Sequence, residues 1–188
     1  MLIGRIACIA KIGRNSLYVA WNWFAKDLFH DIIITITHPP TQTHNPYRKL
    51  LLLQYYFGLR PIELTDARFD GDFLIALNAK HKTSEGDKVY KKIPIPKQAR
   101  THIDTNEPIE CNCSLDTINR VFKKVMGDKE VTQYFLRHTF ATTCSQYVRP
   151  DIVDTWMGDS PERLVGRVYT HFPDKFMANQ MDLVQFEF

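Results

Sequence analysis

Apolar residues recur at spacings of three and four over most of the chain, the pattern of helices with one buried face. We predict helices over 15–29, from Asn45 to a stop at Gly58, and from Ser114 to a stop at Gly127. The second of these is apolar nearly all round, so it should be a buried central helix. Shorter helical patterns cover 136–147, 152–158, 160–169 and 176–186.

Between Gly58 and Ser114, two strand-like runs interrupt the helical pattern. Phe73–Leu77 and Lys88–Ile95 flank Ser84–Asp87, which predicts a β-hairpin whose turn contains glycine. Pro94 and Pro96 cannot donate to a sheet ladder, so the second strand should lie at an edge. The whole pattern predicts a mixed α/β (α+β) fold, mainly helical with a small antiparallel sheet.

A linker separates the first helix from the rest of the chain. Residues 37–45 contain two prolines followed by Thr, Gln and Asn, which is typical of a connecting segment. We therefore interpret residues 1–44 as an N-terminal helix and linker, and 45–188 as the main domain with a C-terminal helix. A chain of 188 residues has room for one such domain with an appendage.

Composition is that of a folded globular protein, with 44% apolar and 24% charged residues. The net charge of +3 does not by itself indicate a nucleic-acid partner. The apolar residues 2–12 are interrupted by Arg5 and Lys11 and are too few to span a membrane. We expect a cytoplasmic protein.

Common cofactor motifs are absent from the sequence. Neither Gly-x-Gly-x-x-Gly nor Gly-x-x-x-x-Gly-Lys occurs, and no two histidines are spaced His-x-x-x-His. Cys111 and Cys113 have no second Cys or His pair at zinc-site spacing. We predict no cofactor and no metal, and interpret both cysteines as loop residues.

Three motifs resemble, in their order along the chain, the catalytic domain of the tyrosine recombinases, which include the phage integrases. They are Gly58-Leu-Arg-Pro-Ile-Glu-Leu64, then Leu136-Arg-His-Thr-Phe-Ala-Thr142 followed by Met157-Gly-Asp-Ser160, then Val168-Tyr-Thr-His171. The resemblance covers 45–175 and implies double-stranded DNA as partner. It also implies a bacterial or phage origin, with the protein on the nucleoid when it acts, and residues 1–44 as the tail of a core-binding domain. The chain would then be a fragment or a single-domain member.

The family reaction implies a role for four residues. Arg60 and Arg137 match the two arginines that bind the scissile phosphate, for which the guanidinium fork is suited. Tyr169 matches the nucleophile, which forms a covalent 3′-phosphotyrosine. Lys82 in the hairpin matches the acid that protonates the leaving 5′-hydroxyl, with Lys80 as its rival. The resemblance implies that neither ATP nor a metal is needed.

Two supporting residues and two departures complete the comparison. Glu63, one turn after Arg60, should orient that arginine, and His138 lies within the second motif. Tyr134 and Asp159 take places where the family usually has histidine. Tyr134 can still donate through its hydroxyl. Asp159 can only accept when ionised and would repel a phosphate, unless it takes the proton of Tyr169 or serves as a loop or capping carboxylate.

These departures leave alternative functions open. The main prediction is site-specific DNA recombination, and the first alternative is a catalytically impaired DNA-binding remnant or accessory module of the same fold. A remoter one is an unrelated helical interaction domain. The apolar stripe of 176–188 should fold back on its own domain in the isolated chain, and contact other protomers of the same protein on DNA.

Overall fold

The computed structural model describes residues 46–82, 85–126, 129–159 and 172–186. The predicted helices over 15–29 and 160–169, the linker and Tyr169 lie outside the described residues. The described helices are α1 (Pro46–Phe57), α2 (Ala99–His102), α3 (Leu115–Met126), α4 (Tyr134–Cys144), α5 (Pro150–Met157) and α6 (Asp174–Met181). A 3-10 helix (Pro61–Asp66) precedes the strands β1 (Ala67–Asp70), β2 (Phe73–Lys82) and β3 (Lys88–Pro94).

Helix α1 lies at the centre of the fold, as its apolar sequence predicts. Every residue from Leu50 to Phe57 is buried. The helix packs against α3 and α4. Their inward faces contribute Ile118 and Phe122 from α3 and Phe140 from α4, each without exposed surface. Such burial is worth roughly 1.5–3 kcal/mol for each large apolar side chain, so α1 is the element against which α3 and α4 are placed.

Gly58 ends α1 in the left-handed conformation, with φ of +59°. Its N–H donates to the Gln54 carbonyl at 3.0 Å, which closes the helix and turns the chain toward Arg60. A Cβ at this position would lie 2.4 Å from Cδ1 of Phe140, so the turn also requires the close approach that only glycine allows.

We expect Gly58→Ala to destabilise the fold by about 2–4 kcal/mol, since a positive φ costs about 1 kcal/mol and overpacking about 1–3 kcal/mol more. Gly71→Ala is the matched control, because Gly71 has φ of +57° but nothing within 4 Å of its Cβ position. Urea denaturation of both variants measures the difference. Equal losses would show that Phe140 moves aside at no cost.

The sheet is antiparallel in the order β1-β2-β3, so β3 is an edge strand as its prolines predict. Asp70 of β1 pairs with Phe73 of β2 across the turn that joins these strands. Phe73 also pairs with Pro94, at the end of the β2–β3 ladder. A register shift lies between Leu77 and Lys82 on β2. The sheet packs against the helical body through contacts of β3 with α5 and α6.

Several predicted boundaries differ from the observed ones. β2 continues to Lys82, and the four-residue strand β1 was not predicted, because its half-exposed Ala-Arg-Phe-Asp gives little strand pattern. The C-terminal helix was predicted too long. It ends at Met181, and 182–186 are not helical. The prediction for α5 is confirmed, since it ends at Gly158 in the left-handed conformation.

The C-terminal segment packs onto its own domain. Met177, Met181, Val184 and Phe186 belong to the buried core. The ring of Phe186 lies 5.2 Å from that of Tyr56 and 6.1 Å from that of Phe140, measured between centroids. The apolar stripe thus has the folded-back arrangement expected of the isolated chain. None of the described helices is long and apolar enough to cross a membrane.

Candidate active site

Arg60 is held by the turn that follows α1. Its backbone N–H donates to Oε2 of Glu63 at 2.8 Å, and its Nη1 donates to Oε1 of the same carboxylate at 2.9 Å. Glu63 lies in the 3-10 helix with no exposed surface, and also accepts the Ala79 N–H of β2 at 3.3 Å. The predicted role of Glu63 in orienting Arg60 therefore has a direct geometric basis.

Arg137 reaches the same place from α4. Its Nη1 donates to the Gly58 carbonyl at 2.5 Å, and its Nη2 to the Met157 carbonyl at 3.0 Å. These two carbonyls end α1 and α5, where helices leave backbone acceptors without partners. The guanidinium thus ties three helices together, while Nη2 also reaches the carboxylate of Asp159.

Asp159 bridges the two arginines. Its Oδ1 accepts from Nη2 of Arg60 at 2.7 Å, and its Oδ2 from Nη2 of Arg137 at 2.8 Å. The left-handed Gly158 places it there, because the Asp159 N–H then returns to the Asp154 carbonyl at 2.8 Å. One carboxylate therefore engages two converging guanidinium groups, an arrangement that binds an oxyanion.

The hairpin contributes a further cation to this cluster. Lys80 on β2 lies two residues after the buried Asn78 and donates from Nζ to Oδ1 of Asp159 at 2.5 Å. Its side chain is 59% exposed, so it can change its position when a ligand binds. Lys82 ends β2, where it pairs with Lys88, and its side chain lies outside the described residues.

Lys91 is the residue of this cluster that sequence reasoning missed. It lies on β3 with its side chain only 3% exposed, and donates from Nζ to Oε2 of Glu63 at 2.7 Å and to the Met157 carbonyl at 3.0 Å. A signal was available, because strand periodicity puts Lys91 on the same face as Val89 and the buried Ile93.

The two carboxylates are ionised in this environment. Burial raises the pKa of Glu63, but the charge and hydrogen bond of Lys91 and the hydrogen bonds of Arg60 outweigh it, so the pKa lies below its ordinary value. Burial likewise raises the pKa of Asp159. The hydrogen bond from Lys80 and the charges of Arg137 and Arg60 outweigh this effect, so the pKa lies below its ordinary value.

Burial has the opposite effect on the cations, because it lowers their pKa values. Burial and the nearby charge of Arg60 lower the pKa of Arg137, although an arginine remains protonated at any working pH. Burial lowers the pKa of Lys91 to about 8, in spite of the opposing charge of Glu63, and the charges of Arg137 and Arg60 add to the lowering. Lys91 therefore loses its charge as pH rises through about 8.

Two of the predicted site residues lie elsewhere. Tyr134 begins α4 with 46% of its surface exposed and lines a shallow groove with Ile62 and Gln133. His138 is exposed on the same helix, one position after Arg137. Arg60, Glu63, Arg137 and Asp159 are brought together, whereas the roles predicted for Tyr134, His138, Lys82 and Tyr169 stay predictions.

Solved structures share this fold, whereas no family model and no curated protein matches the sequence. The integrase from mycobacterium phage Brujita superposes on 97% of this chain and 77% of its own, with a TM-score of 0.58 and 12% sequence identity. A XerA recombinase covers 93% of this chain and 77% of its own, with a TM-score of 0.42 and 19% identity. This chain therefore has the fold of that phage integrase, a helical body with a small antiparallel sheet, which is the fold that the sequence resemblance to tyrosine recombinase catalytic domains implies.

Proposed function

We propose that this chain cleaves and rejoins DNA strands in site-specific recombination, through a covalent 3′-phosphotyrosine. The observation that carries the proposal is the convergence of Arg60 and Arg137 on one anion, at 2.7 and 2.8 Å. The two arginines are brought together from α4 and the end of α1. Guanidinium groups aimed at one oxyanion stabilise the charge that develops on a phosphate during transfer.

The proposed reaction uses the phosphate held by these arginines. The Tyr169 oxygen attacks phosphorus and gives its proton to water, the bond to the 5′-oxygen breaks, and the leaving oxygen takes a proton from a hairpin lysine. Lys82 is assigned as that acid, with Lys80 as the alternative because it reaches the anion site. Attack by the freed 5′-hydroxyl of another strand reverses these steps and releases the tyrosine.

A second candidate function is DNA binding without strand cleavage. It is favoured by Asp159, whose ionised carboxylate fills the place between the guanidinium groups that a phosphate would take. A phosphate must displace this carboxylate before it binds both arginines. If the displacement is too unfavourable, the chain holds DNA through its other basic residues and does no chemistry.

Covalent trapping distinguishes the two functions. Because the target sequence is unknown, the substrate is a pool of nicked duplexes randomised around the nick, from which the short cleaved fragment diffuses away. We expect a protein–DNA adduct that survives denaturation, and sequencing of the trapped DNA then gives a defined substrate. Retention on DNA in native gels with no adduct from any pool would favour the binding module, and no retention would contradict both.

The competition between Asp159 and phosphate makes a prediction of its own. We expect Asp159→Asn to bind a labelled duplex about tenfold more tightly at fixed salt, because the amide keeps the size of the side chain and removes its charge. Fluorescence anisotropy measures the affinity. Asp151→Asn is the control, since Asp151 lies on α5, the helix that ends just before Asp159, and pairs with Arg149 at the surface.

The control separates local competition from a change in net charge. Both variants gain the same charge, so an equal increase in affinity would mean that Asp159 does not compete for the anion site. Weaker binding by Asp159→Asn alone would mean that the carboxylate is needed to keep the two arginines together.

A further inference from the structure

We propose that Lys91 is a positioning residue of the active site, which neutralises Glu63 and thereby keeps Arg137 directed at the anion. The kinetic test of this role rests on the proposed function, whereas the role itself follows from the contacts of Lys91. It concerns a residue that touches neither the anion nor the reacting atoms.

The first observation is where the ammonium group lies. Lys91 is buried between the sheet and α5, while its neighbour Lys92 is half-exposed and pairs with Asp174. A buried ammonium is costly unless its charge is compensated and its hydrogen bonds are made. Lys91 meets that condition through the Glu63 carboxylate and the Met157 carbonyl.

The second observation is that both acceptors of Lys91 also hold the arginines. Glu63 accepts from Nη1 of Arg60 at 2.9 Å through its other oxygen. The Met157 carbonyl accepts from Nη1 of Arg60 at 3.4 Å as well as from Arg137. Lys91 therefore acts on the same two groups that fix the direction of both guanidinium forks.

The third observation gives the consequence of losing Lys91. Nη1 of Arg137 lies 4.0 Å from Oε2 of Glu63, the oxygen to which Lys91 donates. Without the ammonium, the buried Oε2 would keep the Arg60 backbone N–H but lose its charged donor, and Nη1 of Arg137 is close enough to move in and replace that charge. A shift of about 1 Å in that direction would pull Arg137 away from the anion, and misplacement on this scale costs up to ~10²-fold in rate.

Several elements of the fold present charged or polar groups to the Lys91 ammonium. Glu63 faces it from the 3-10 helix, Arg60 from the preceding turn and Arg137 from α4, while α5 presents the Met157 carbonyl. On β2 its pairing partner is the uncharged Ala76. Because burial and the two arginines together lower the pKa to about 8, the positioning charge is lost as pH rises through that value.

Stability and activity should respond to this titration in opposite directions. The pKa of Lys91 is about 8 in the folded chain and 10.5 ordinarily, so the unfolded chain binds more protons between these values. The contribution of Lys91 to stability therefore rises with pH over that window. A loss of cleavage across the same window cannot come from unfolding caused by Lys91.

The test compares cleavage of the trapped substrate by wild type and Lys91→Met, in single turnovers from pH 6.5 to 9.5. We expect wild type to be about 10- to 100-fold faster at pH 7, and the ratio to fall toward one at pH 9.5. The ratio cancels the titration of the nucleophile and of other groups. Lys92→Met is the control from the same strand, and its ratio to wild type should not change with pH.

Two further measurements keep the test decisive. If Lys91→Met does not fold, Lys91→Arg replaces it, because its charge persists at pH 9.5 and its rate relative to wild type should then rise with pH. A ratio that is constant with pH in the variant used would overturn the proposal.

If wild type forms no adduct at all, the proposed function fails while the role of Lys91 is still measured by anion binding. Sulfate, which keeps its charge over this pH range, is titrated into Asp159→Asn and into Asp159→Asn with Lys91→Met, and its binding is followed by the rise in Tm. We expect at least about tenfold weaker binding in the double variant at pH 7 and no difference at pH 9.5. Equal binding at pH 7 would contradict the positioning role.

Discussion

Replacing Tyr169 by phenylalanine is expected to abolish covalent attachment to DNA and to leave DNA affinity within about twofold of wild type. The change removes only the attacking oxygen, and a phenylalanine side chain has no atom that can form the bond to phosphorus. Denaturing gels with the trapped substrate measure the adduct, and anisotropy measures the affinity. The loss is the largest expected of any single substitution, since it removes the reaction rather than slowing it.

The other tyrosines provide the control and the alternative. If the Tyr169→Phe protein still formed an adduct, Tyr134 would be examined first, because it is exposed and begins the helix that carries Arg137. Tyr90 is a poorer nucleophile, since its hydroxyl donates to Asp66 at 2.9 Å, and this hydrogen bond raises its pKa. Tyr147 would be tested last. Tyr134→Phe should keep the ability to form the adduct.

Arg60→Lys is expected to lower the cleavage rate by about 10²-fold or more, the scale seen when one transition-state donor is removed. Arg60 uses its fork to donate to Glu63 with Nη1 and to the anion with Nη2. A lysine has a single ammonium group at the end of a flexible chain and cannot keep both contacts in this geometry. Positive charge is preserved, so the loss measures the fork itself.

A matched control is available on the surface. Arg149 also donates to a carboxylate with two nitrogens, at 3.1 and 2.6 Å to Asp151, but lies outside the cluster. Arg149→Lys should leave the cleavage rate within about twofold, because an exposed ion pair contributes little. If Arg60→Lys were as active as this control, Arg60 would serve only as a positive charge. Arg137→Lys should lower both rate and stability, because it also loses the bond to the Gly58 carbonyl.

Local patterns in the sequence were sufficient to predict elements and contacts that involve residues close together along the chain. The central helix, its stop at Gly58 and the cap of α3 by Ser114 follow from residues within a few positions of each other. The pairing of Arg60 with Glu63 spans three residues, so it could be predicted from spacing alone. β1 was missed because four half-exposed residues take their structure from pairing with β2.

The sequence by itself determined the helices α1, α3, α4, α5 and α6, the pairing of β2 with β3, and which residue types stand at the motif positions. Only the tertiary structure decided where Asp159 and Lys91 lie. Asp159 meets Arg60 across 99 positions, and Lys91 meets Glu63 across 28. Strand periodicity indicates that Lys91 faces inward, but no local pattern shows which group either residue meets, because each contact depends on how α5 and β3 pack against each other. The physical reason is burial: a charge removed from water must find opposite charge wherever the fold supplies it, and the packing of distant elements fixes that place.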